Sequence, residues 1–117
     1  AGLKKIAQQK KQISLLEIGF GSGLNAWLTA LTARELTCSV EYTTLETFPL
    51  TPEITNQLNF ANSTMYKEHN ILFAELHASE WEKLIPINSI FSLEKKQVKL
   101  EDYESEKQFD LIYFDSI

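Results

Sequence analysis

The sequence predicts an α/β fold with a mostly parallel sheet and helices on both faces. Two short apolar runs, residues 13–19 and 109–114, are typical of buried strands, and segments long enough to form helices lie between the strands. Parallel strands need such crossover connections. With 117 residues and 44% hydrophobic side chains, residues 1–117 should form a single domain with a modest core. We expect about the first four strands of such a sheet.

The first half of the chain alternates between strand and helix signals. Residues 3–12 indicate a polar helix or arm, and residues 13–19 the first buried strand. Residues 39–46 are rich in β-branched and aromatic side chains, which predicts the second strand. Residues 24–35 between them carry apolar side chains at helical spacing, namely Leu24, Trp27, Leu28, Ala30 and Leu31.

The second half opens with a helix start, because Thr51 is a suitable cap and Pro52 fits the first helical position. We expect this helix to run to about residue 61. Residues 62–84 are predicted to be mostly helical, and Pro86 ends that stretch. The core candidates of that stretch are Tyr66, Leu72, Phe73, Leu76 and Trp81.

Two further strands complete the predicted sheet. Residues 89–100 alternate enough for a strand, although the polar run at residues 94–97 indicates partial exposure. Residues 109–114 are apolar enough to predict a buried, central strand. Because the sequence stops two residues after Asp115, we expect the outer edge of this strand to be uncovered here and to favour self-association.

Composition narrows the classes of function. The formal charge of −5 argues against a protein that coats nucleic acid in general, although four lysines precede the first acidic residue. That lysine cluster indicates either a solvated helix face or a local basic patch. No apolar run approaches the ~18 residues of a membrane span, and no signal-peptide pattern is visible. We expect a cytoplasmic protein without a membrane partner.

Three residues that often carry chemistry look structural. Cys38 is the only cysteine, which excludes an intrachain disulfide and predicts a small core residue. His69 and His77 have no acidic or cysteine partners spaced for a metal ion. We therefore expect no metal site, and we interpret both histidines as surface or satisfied structural residues.

The most informative stretch is the glycine-rich turn after the first strand. Gly19, Gly21 and Gly23 alternate directly after an apolar run, and a helix-like segment follows. Glycine tolerates positive φ and close approach of a ligand, and a helix N-terminus attracts negative groups. Such a strand–turn–helix unit holds nucleotide-type cofactors in α/β sheets. The alternative is a plain structural turn.

The spacing of the turn favours S-adenosylmethionine over other cofactors. The dinucleotide signature needs its third glycine at the position of Leu24, and a phosphate-binding P-loop needs Lys-Ser/Thr after the glycines. Neither is present. An acid just before tightly spaced glycines is the pattern of S-adenosylmethionine enzymes, and Glu17 occupies that position.

Two further carboxylates are candidate site residues. Glu46 closes the second strand, 23 residues after Gly23, where a carboxylate can accept hydrogen bonds from both ribose hydroxyls. The alternative for Glu46 is a surface acid. Asp115 follows the fourth strand at its carboxyl end, where such sheets bind ligands. It is either a carboxylate that aligns an acceptor amine with a reacting methyl group or a helix cap.

Four segments together resemble the methyltransferase domain of the MnmC family of tRNA-modifying enzymes. Residues 15–25, Leu-Leu-Glu-Ile-Gly-Phe-Gly-Ser-Gly-Leu-Asn, resemble its first motif, and residues 46–50 resemble its Glu-x-Phe-Pro-Leu. Residues 74–81 resemble a further segment that ends in Trp, and residues 109–115, Phe-Asp-Leu-Ile-Tyr-Phe-Asp, its fourth-strand motif. The resemblance covers nearly the whole chain and implies a Rossmann-like class I methyltransferase domain, truncated at its C-terminus.

The resemblance also implies an activity. It implies an N-methyltransferase that uses S-adenosylmethionine and acts on the aminomethyl group of the wobble uridine in tRNA, with Asp115 at the reacting amine and Glu46 on the ribose. The residues it assigns to the methionine side of the cofactor are Glu17, Gly19, Phe20, Gly21, Gly23 and Asn25. A protein or small-molecule amine as the substrate, or a non-catalytic fragment of the fold, are the alternatives.

The sequence departs from the family pattern at two places. The acid expected at the adenine amino group falls on Lys99, and lysine cannot accept that hydrogen bond. Asp102, three residues later, is the substitute that we expect. Only Ser116 and Ile117 follow Asp115, so the family's Ala-Phe-Ala-Pro loop is missing. We therefore expect no tRNA methylation by these 117 residues alone.

Overall fold

The computed structural model describes residues 2–55 and 67–114. The elements in chain order are α1 (Gly2–Ala7), β1 (Gln12–Ile18), α2 (Leu24–Leu36), β2 (Ser39–Leu45), α3 (Pro52–Thr55), α4 (Lys67–Ala78), β3 (Leu84–Pro86), β4 (Phe91–Lys96) and β5 (Leu111–Phe114). A short 3-10 turn at Leu100–Asp102 lies between β4 and β5. None of the helices in the described ranges is long and apolar enough to cross a membrane.

The five strands form one sheet in the order β3-β4-β2-β1-β5. Parallel pairs join β1 to β2, β1 to β5 and β2 to β4, and an antiparallel pair joins β3 to β4. The predicted α/β class is therefore confirmed. From β1 the chain adds β2 and then β4 on one side, and it later places β5 on the other side of β1. Ligands of such sheets bind where the strand order reverses in this way.

The main core lies on one face of the sheet, against helices α1, α2 and α4. Its strand side chains alternate along β1, β2 and β4, because successive side chains point to opposite faces of a sheet, and are Ile13, Leu15, Val40, Tyr42, Phe91 and Leu93. The predicted core residues Leu72, Phe73 and Leu76 are buried, Cys38 is buried, and Trp81 packs partly buried against the cluster. Tyr66 lies outside the described residues.

The apolar face predicted for helix α2 is confirmed at Trp27, Ala30 and the partly buried Leu31, but not at Leu24 and Leu28. The α2 residues that are buried are Ala26, Trp27, Thr29, Ala30 and Ala33. Leu24 and Leu28 are 39% and 48% exposed. Three alanines on the buried face leave room for a neighbouring backbone, so the helix turns this face to the core and the two leucines outward.

Within the described residues, the predicted start of helix α3 at Thr51 and Pro52 is confirmed. Thr51 Oγ1 accepts a hydrogen bond of 3.4 Å from the backbone N–H of Ile54, so Thr51 caps α3 as predicted, with Pro52 as its first residue. The continuation of this helix to residue 61 lies outside the described residues. The predicted helical stretch up to residue 84 ends earlier, at Ala78, and Leu84–Pro86 forms strand β3 instead. Pro86 fits there because β3 is an edge strand.

Of two predictions about the burial of the later strands, one holds in part and one is wrong. The partial exposure predicted for residues 94–97 is found at Glu94, Lys96 and Gln97. Lys95, however, is only 1% exposed, because it lies on the core face together with Phe91 and Leu93. Strand β5 was predicted to be buried and central, but it lies at the edge of the sheet, with Ile112 50% and Phe114 74% exposed. Among the described residues β5 pairs with β1 on one side and with no strand on the other, so the expectation of an uncovered outer edge holds for that part of the chain.

Candidate functional site

The glycine loop, residues 19–23, connects β1 to α2 at the carboxyl edge of the sheet, where the parallel strands end. Its three glycines have φ angles of 98°, 56° and 85° at Gly19, Gly21 and Gly23. This left-handed backbone costs other residues roughly 1–2 kcal/mol each. The alternation of glycines is therefore demanded by the path of the backbone. Gly23 is the N-cap of α2, so the amides of the first turn of α2 begin at the loop.

Glu46 is held at the glycine loop by two hydrogen bonds. Its Oε1 accepts 2.8 Å from the backbone N–H of Gly21, and its Oε2 accepts 3.1 Å from that of Phe48. The N–H of Gly19 donates to the carbonyl of Leu45 at 2.8 Å. The acid of β2 and the glycine turn, 25 residues apart in sequence, are thus brought together. An ionised carboxylate offers about four lone-pair sites, so Glu46 keeps capacity for ligand hydroxyls.

A row of polar side chains crosses the core face just below the carboxyl edge. Strand register places Thr44 beside both Glu17 and Lys95, and Tyr113 on the other side of Glu17. Thr44 donates a hydrogen bond of 2.9 Å to Glu17 Oε1. Burial raises the pKa of the Tyr113 phenol, a hydrogen bond with the Thr29 side chain lowers it, and the Glu17 charge raises it. The row forms a polar floor beneath the glycine loop.

Two of the predicted cofactor residues turn their side chains into this interior. Glu17 is 0% exposed and Phe20 is 4% exposed. The Phe20 ring makes edge contacts with His77 and Trp81, with ring centroids 5.6 Å and 6.2 Å away. In this arrangement Phe20 can offer a ligand its backbone only, and Glu17 is hydrogen-bonded to Thr44 in the interior. Their predicted roles in cofactor binding stay predictions.

Asn25 faces an open groove of about 670 Å³ between α1, α2 and β5. Lys4, Thr29, Tyr113 and Phe114 also line it. The groove lies beside the glycine loop because α2 starts from that loop and Phe114 pairs with Ile18, the residue before Gly19. It combines a lysine, hydroxyl groups and aromatic rings, a lining that suits an amphipathic ligand. The prediction for Asn25 is consistent with this position.

Lys95 is a residue of the site region that the sequence did not reveal. Its Nζ donates to the carbonyls of Leu76 at 2.9 Å and His77 at 3.2 Å, at the C-terminal end of α4. It also lies 5.0 Å from the centroid of the Trp81 ring. Burial lowers the pKa of Lys95 to about 8, whereas the two carbonyls and the ring favour the ammonium form. The signal in the sequence was its alternation with the apolar residues of β4.

The remaining predicted residues are Asp102, Lys99 and Asp115. Asp102 is exposed in the 3-10 turn, and Lys99, also exposed, precedes that turn. The predicted role of Asp102 at the adenine stays a prediction. Asp115 lies outside the described residues, so its role stays a prediction. Strand β5, which precedes it, ends opposite Ile18.

The part of the chain that the structure describes contains no group of three potential metal ligands. The ring of His77 is half-buried, and its Nε2 lies 2.7 Å from the carbonyl oxygen of Ser22. This confirms His77 as a satisfied structural residue. The side chain of His69 lies outside the described residues.

Comparison with known proteins finds a structural relative. No protein-family model and no curated protein matches the chain. The chain is similar to a solved structure, the crystal structure of MNMC2 from Aquifex aeolicus, with a TM-score of 0.63 and 19% sequence identity. The match covers 97% of this chain and 35% of that one. At this identity the likeness shows a shared fold, and the chain spans about a third of the length of its relative.

Proposed function

We propose that this chain forms the cofactor-binding part of a methyltransferase domain that binds S-adenosylmethionine and transfers its methyl group to the aminomethyl nitrogen of the wobble uridine in tRNA. The observation that carries the proposal is the hydrogen bond between Glu46 and Gly21. It joins the two sequence features expected of an adenosine-binding site at the carboxyl edge where the strand order reverses. The fold shared with MNMC2 supports the same assignment. A cytoplasmic location belongs to the proposal as well.

The residues present fit the cofactor. Three glycines with positive φ allow a close approach to the backbone, and the first turn of α2 starts at Gly23. Glu46 is oriented by Gly21 and Phe48, so a ribose would meet a carboxylate whose rotamer is already fixed. Asn25 lies at the start of α2 on the wall of the adjoining groove. Glu46 would hold the ribose, and the loop with Asn25 the methionine part.

When bound, S-adenosylmethionine supplies an electrophilic methyl group on a sulfonium. The protein then has to orient an unprotonated amine in line with that methyl group and to exclude other geometries, because alignment supplies most of the rate in such a transfer. The groove beside the loop is the place for the acceptor in this proposal. Asp115, next after β5 in sequence, would hydrogen-bond the amine.

Calorimetric titration with S-adenosylmethionine and S-adenosylhomocysteine tests the cofactor part of the proposal. We expect saturable binding of both, and no binding of NAD at the same concentrations. Heat signals for NAD alone, or for none of the three, would contradict it.

The substrate part is tested separately. The protein is incubated with radiolabelled S-adenosylmethionine and either tRNA that carries 5-aminomethyl-uridine or the same tRNA without that group. We expect methylation of the aminomethylated tRNA only, and we expect it from a longer protein that contains residues 1–117 rather than from these residues alone. Methylation of a free amine or a protein and not of the tRNA would replace this substrate with another class.

A further inference from the structure

His77 holds the glycine loop from the core side. Its Nε2 lies 2.7 Å from the carbonyl oxygen of Ser22, and because a carbonyl only accepts, Nε2 carries the proton and donates. The ring packs against Phe20 and Phe73, with centroids 5.6 Å and 4.5 Å away. The imidazole is therefore fixed by two rings and by one hydrogen bond to the loop.

The contact acts on one peptide plane of the loop. The carbonyl of Ser22 shares its peptide with the N–H of Gly23, which donates 3.0 Å to the carbonyl of Phe20. Both polar groups of this plane are thus bound, one by α4 and one within the loop. The plane directly precedes the first turn of α2, so its orientation sets the direction of the amides that follow.

His77 also explains why residue 23 has no side chain. A Cβ atom at Gly23 would lie 2.8 Å from His77 Nε2 and 3.1 Å from Phe20. The imidazole occupies the space that any other residue at position 23 would need. The loop and His77 therefore fit each other at atomic contact.

The helix that carries His77 is itself anchored to the sheet. Lys95 on β4 donates to the carbonyls of Leu76 and His77, and it is almost fully buried. The backbone of His77 is held by the sheet while its side chain holds the loop. This chain of contacts runs from β4 through α4 to residues 22–23.

We infer that His77 is a positioning residue for the cofactor: it fixes the Ser22–Gly23 peptide so that the glycine loop and the first turn of α2 are ready for the ligand before it binds. The inference rests on the proposed function for the identity of the ligand. Preorganisation of this kind raises affinity because the loop loses less freedom on binding.

Two variants of His77 separate positioning from packing. His77→Gln keeps an N–H donor of similar reach, while His77→Phe keeps the ring between Phe20 and Phe73 and removes the donor. Ser79→Ala is the matched control, because it removes a hydrogen bond of 2.9 Å to Leu76 within the same region without touching the loop. Calorimetry with S-adenosylhomocysteine measures affinity, and hydrogen exchange measures protection of the Gly23 amide.

We expect His77→Phe to weaken binding about tenfold, the upper range for one net hydrogen bond, and to speed exchange at Gly23. His77→Gln should restore most of the affinity, and Ser79→Ala should lower only the thermal midpoint. Equal affinity in folded His77→Phe and wild type, or equal losses in the Phe and Gln variants, would overturn the inference.

The same set of proteins distinguishes this inference from the proposed function. If the wild type binds no cofactor, the proposed function fails, while Gly23 exchange and the tautomer of His77 still report on the contact. Nitrogen NMR should find the proton of neutral His77 on Nε2. A proton on Nδ1, or unchanged exchange at Gly23 in His77→Phe, would refute the positioning of the loop by itself.

Discussion

Glu46 Oε1 accepts a hydrogen bond of 2.8 Å from the backbone N–H of Gly21. The end of β2 and the turn after β1 therefore form one unit, with the carboxylate already oriented. A ligand that needs both elements meets a site whose two halves are linked. The same link gives Glu46 two separable tasks, support of the turn and acceptance of ligand hydroxyls.

Substitution of Glu46 tests both tasks. We expect Glu46→Ala to weaken S-adenosylhomocysteine binding by about 1.5–3 kcal/mol, the range for hydrogen bonds to a charged group. Glu46→Gln keeps one acceptor for Gly21 and should lose less. Glu41→Ala on the same strand, which removes an ion pair with Lys107, should leave affinity unchanged. Calorimetry would contradict the assignment if Glu46→Ala bound as tightly as wild type.

The sequence predicted the frame of this site because local signals coincide there. The apolar run of β1, the alternating glycines and the acid at the end of β2 are each set by backbone conformation or strand burial, which short stretches encode. The contact between Glu46 and Gly21 then follows from parallel pairing of β1 with β2.

The features that the sequence predicted wrongly or did not reveal depend on residues that are distant in sequence. Lys95 is buried because the end of α4 and two rings surround it, and no local pattern specifies those partners. Strand β5 lies at the edge of the sheet because it pairs with β1 on the side away from β2. Its apolar composition does not reveal that position. The three residues of β3 form a strand only by pairing with β4.

Gly23 is the glycine with the most demanding surroundings. Its φ of +85° disfavours any side chain, and a Cβ would lie 2.8 Å from His77 Nε2. We expect Gly23→Ala to lower the free energy of unfolding by roughly 1–2 kcal/mol from the backbone alone, with a further loss from the clash, and to reduce cofactor affinity. Chemical denaturation and calorimetry measure the two effects.

Gly2→Ala is the comparison for this variant. Its Cβ would meet only the side chain of Leu111, at 2.9 Å, and its φ lies outside the left-handed region. We expect it to leave cofactor binding unchanged. A Gly23→Ala protein as stable as Gly2→Ala would show that the loop does not need the conformation described above.

Asp102 is the predicted acceptor for the adenine amino group in place of Lys99. If it has this role, Asp102→Ala should weaken S-adenosylhomocysteine binding by about 0.5–1.5 kcal/mol, and the carboxylate should lie roughly 2.7–3.2 Å from the amino nitrogen in a bound structure. Glu101→Ala in the same exposed turn is the control. Unchanged affinity in Asp102→Ala would mean that no side-chain acid serves adenine here.

Lys95 should make stability rise with pH. Its pKa is lowered by burial to about 8, and in the unfolded chain a lysine keeps its ordinary value of about 10.4. Between these values the unfolded chain binds more protons, so the free energy of unfolding increases with pH. The increase is at most about 1.4 kcal/mol per pH unit. Urea denaturation at pH values of about 7.5, 8.5 and 9.5 measures this increase in the free energy of unfolding, because these values span the start of the window between the two pKa values, roughly pH 8–10.

Two variants assign this pH dependence. Lys95→Met removes the titrating group and keeps an unbranched side chain between the rings, so its stability should change less over the same range. Lys96→Met alters the neighbouring lysine, whose side chain is more exposed and whose Nζ lies 3.6 Å from Glu82 Oε1. This variant should keep the rise of the free energy of unfolding with pH. Parallel curves for wild type and Lys95→Met would refute the role of Lys95.

The outer edge of β5 should make this 117-residue chain self-associate. Within residues 2–55 and 67–114, strand β5 pairs only with β1, and its side chains at Ile112 and Phe114 are 50% and 74% exposed. Unpaired edges with apolar side chains recruit other strands, and a lysine on such an edge opposes this. We expect concentration-dependent association in analytical ultracentrifugation. Ile112→Lys should lower the association constant about tenfold or more, which corresponds to about 1.4 kcal/mol. Leu84→Lys, on the opposite edge strand and 45% exposed, introduces the same charge and should leave association intact. A wild type that stays monomeric at high concentration, or equal effects of the two lysines, would rule out β5 as the contact.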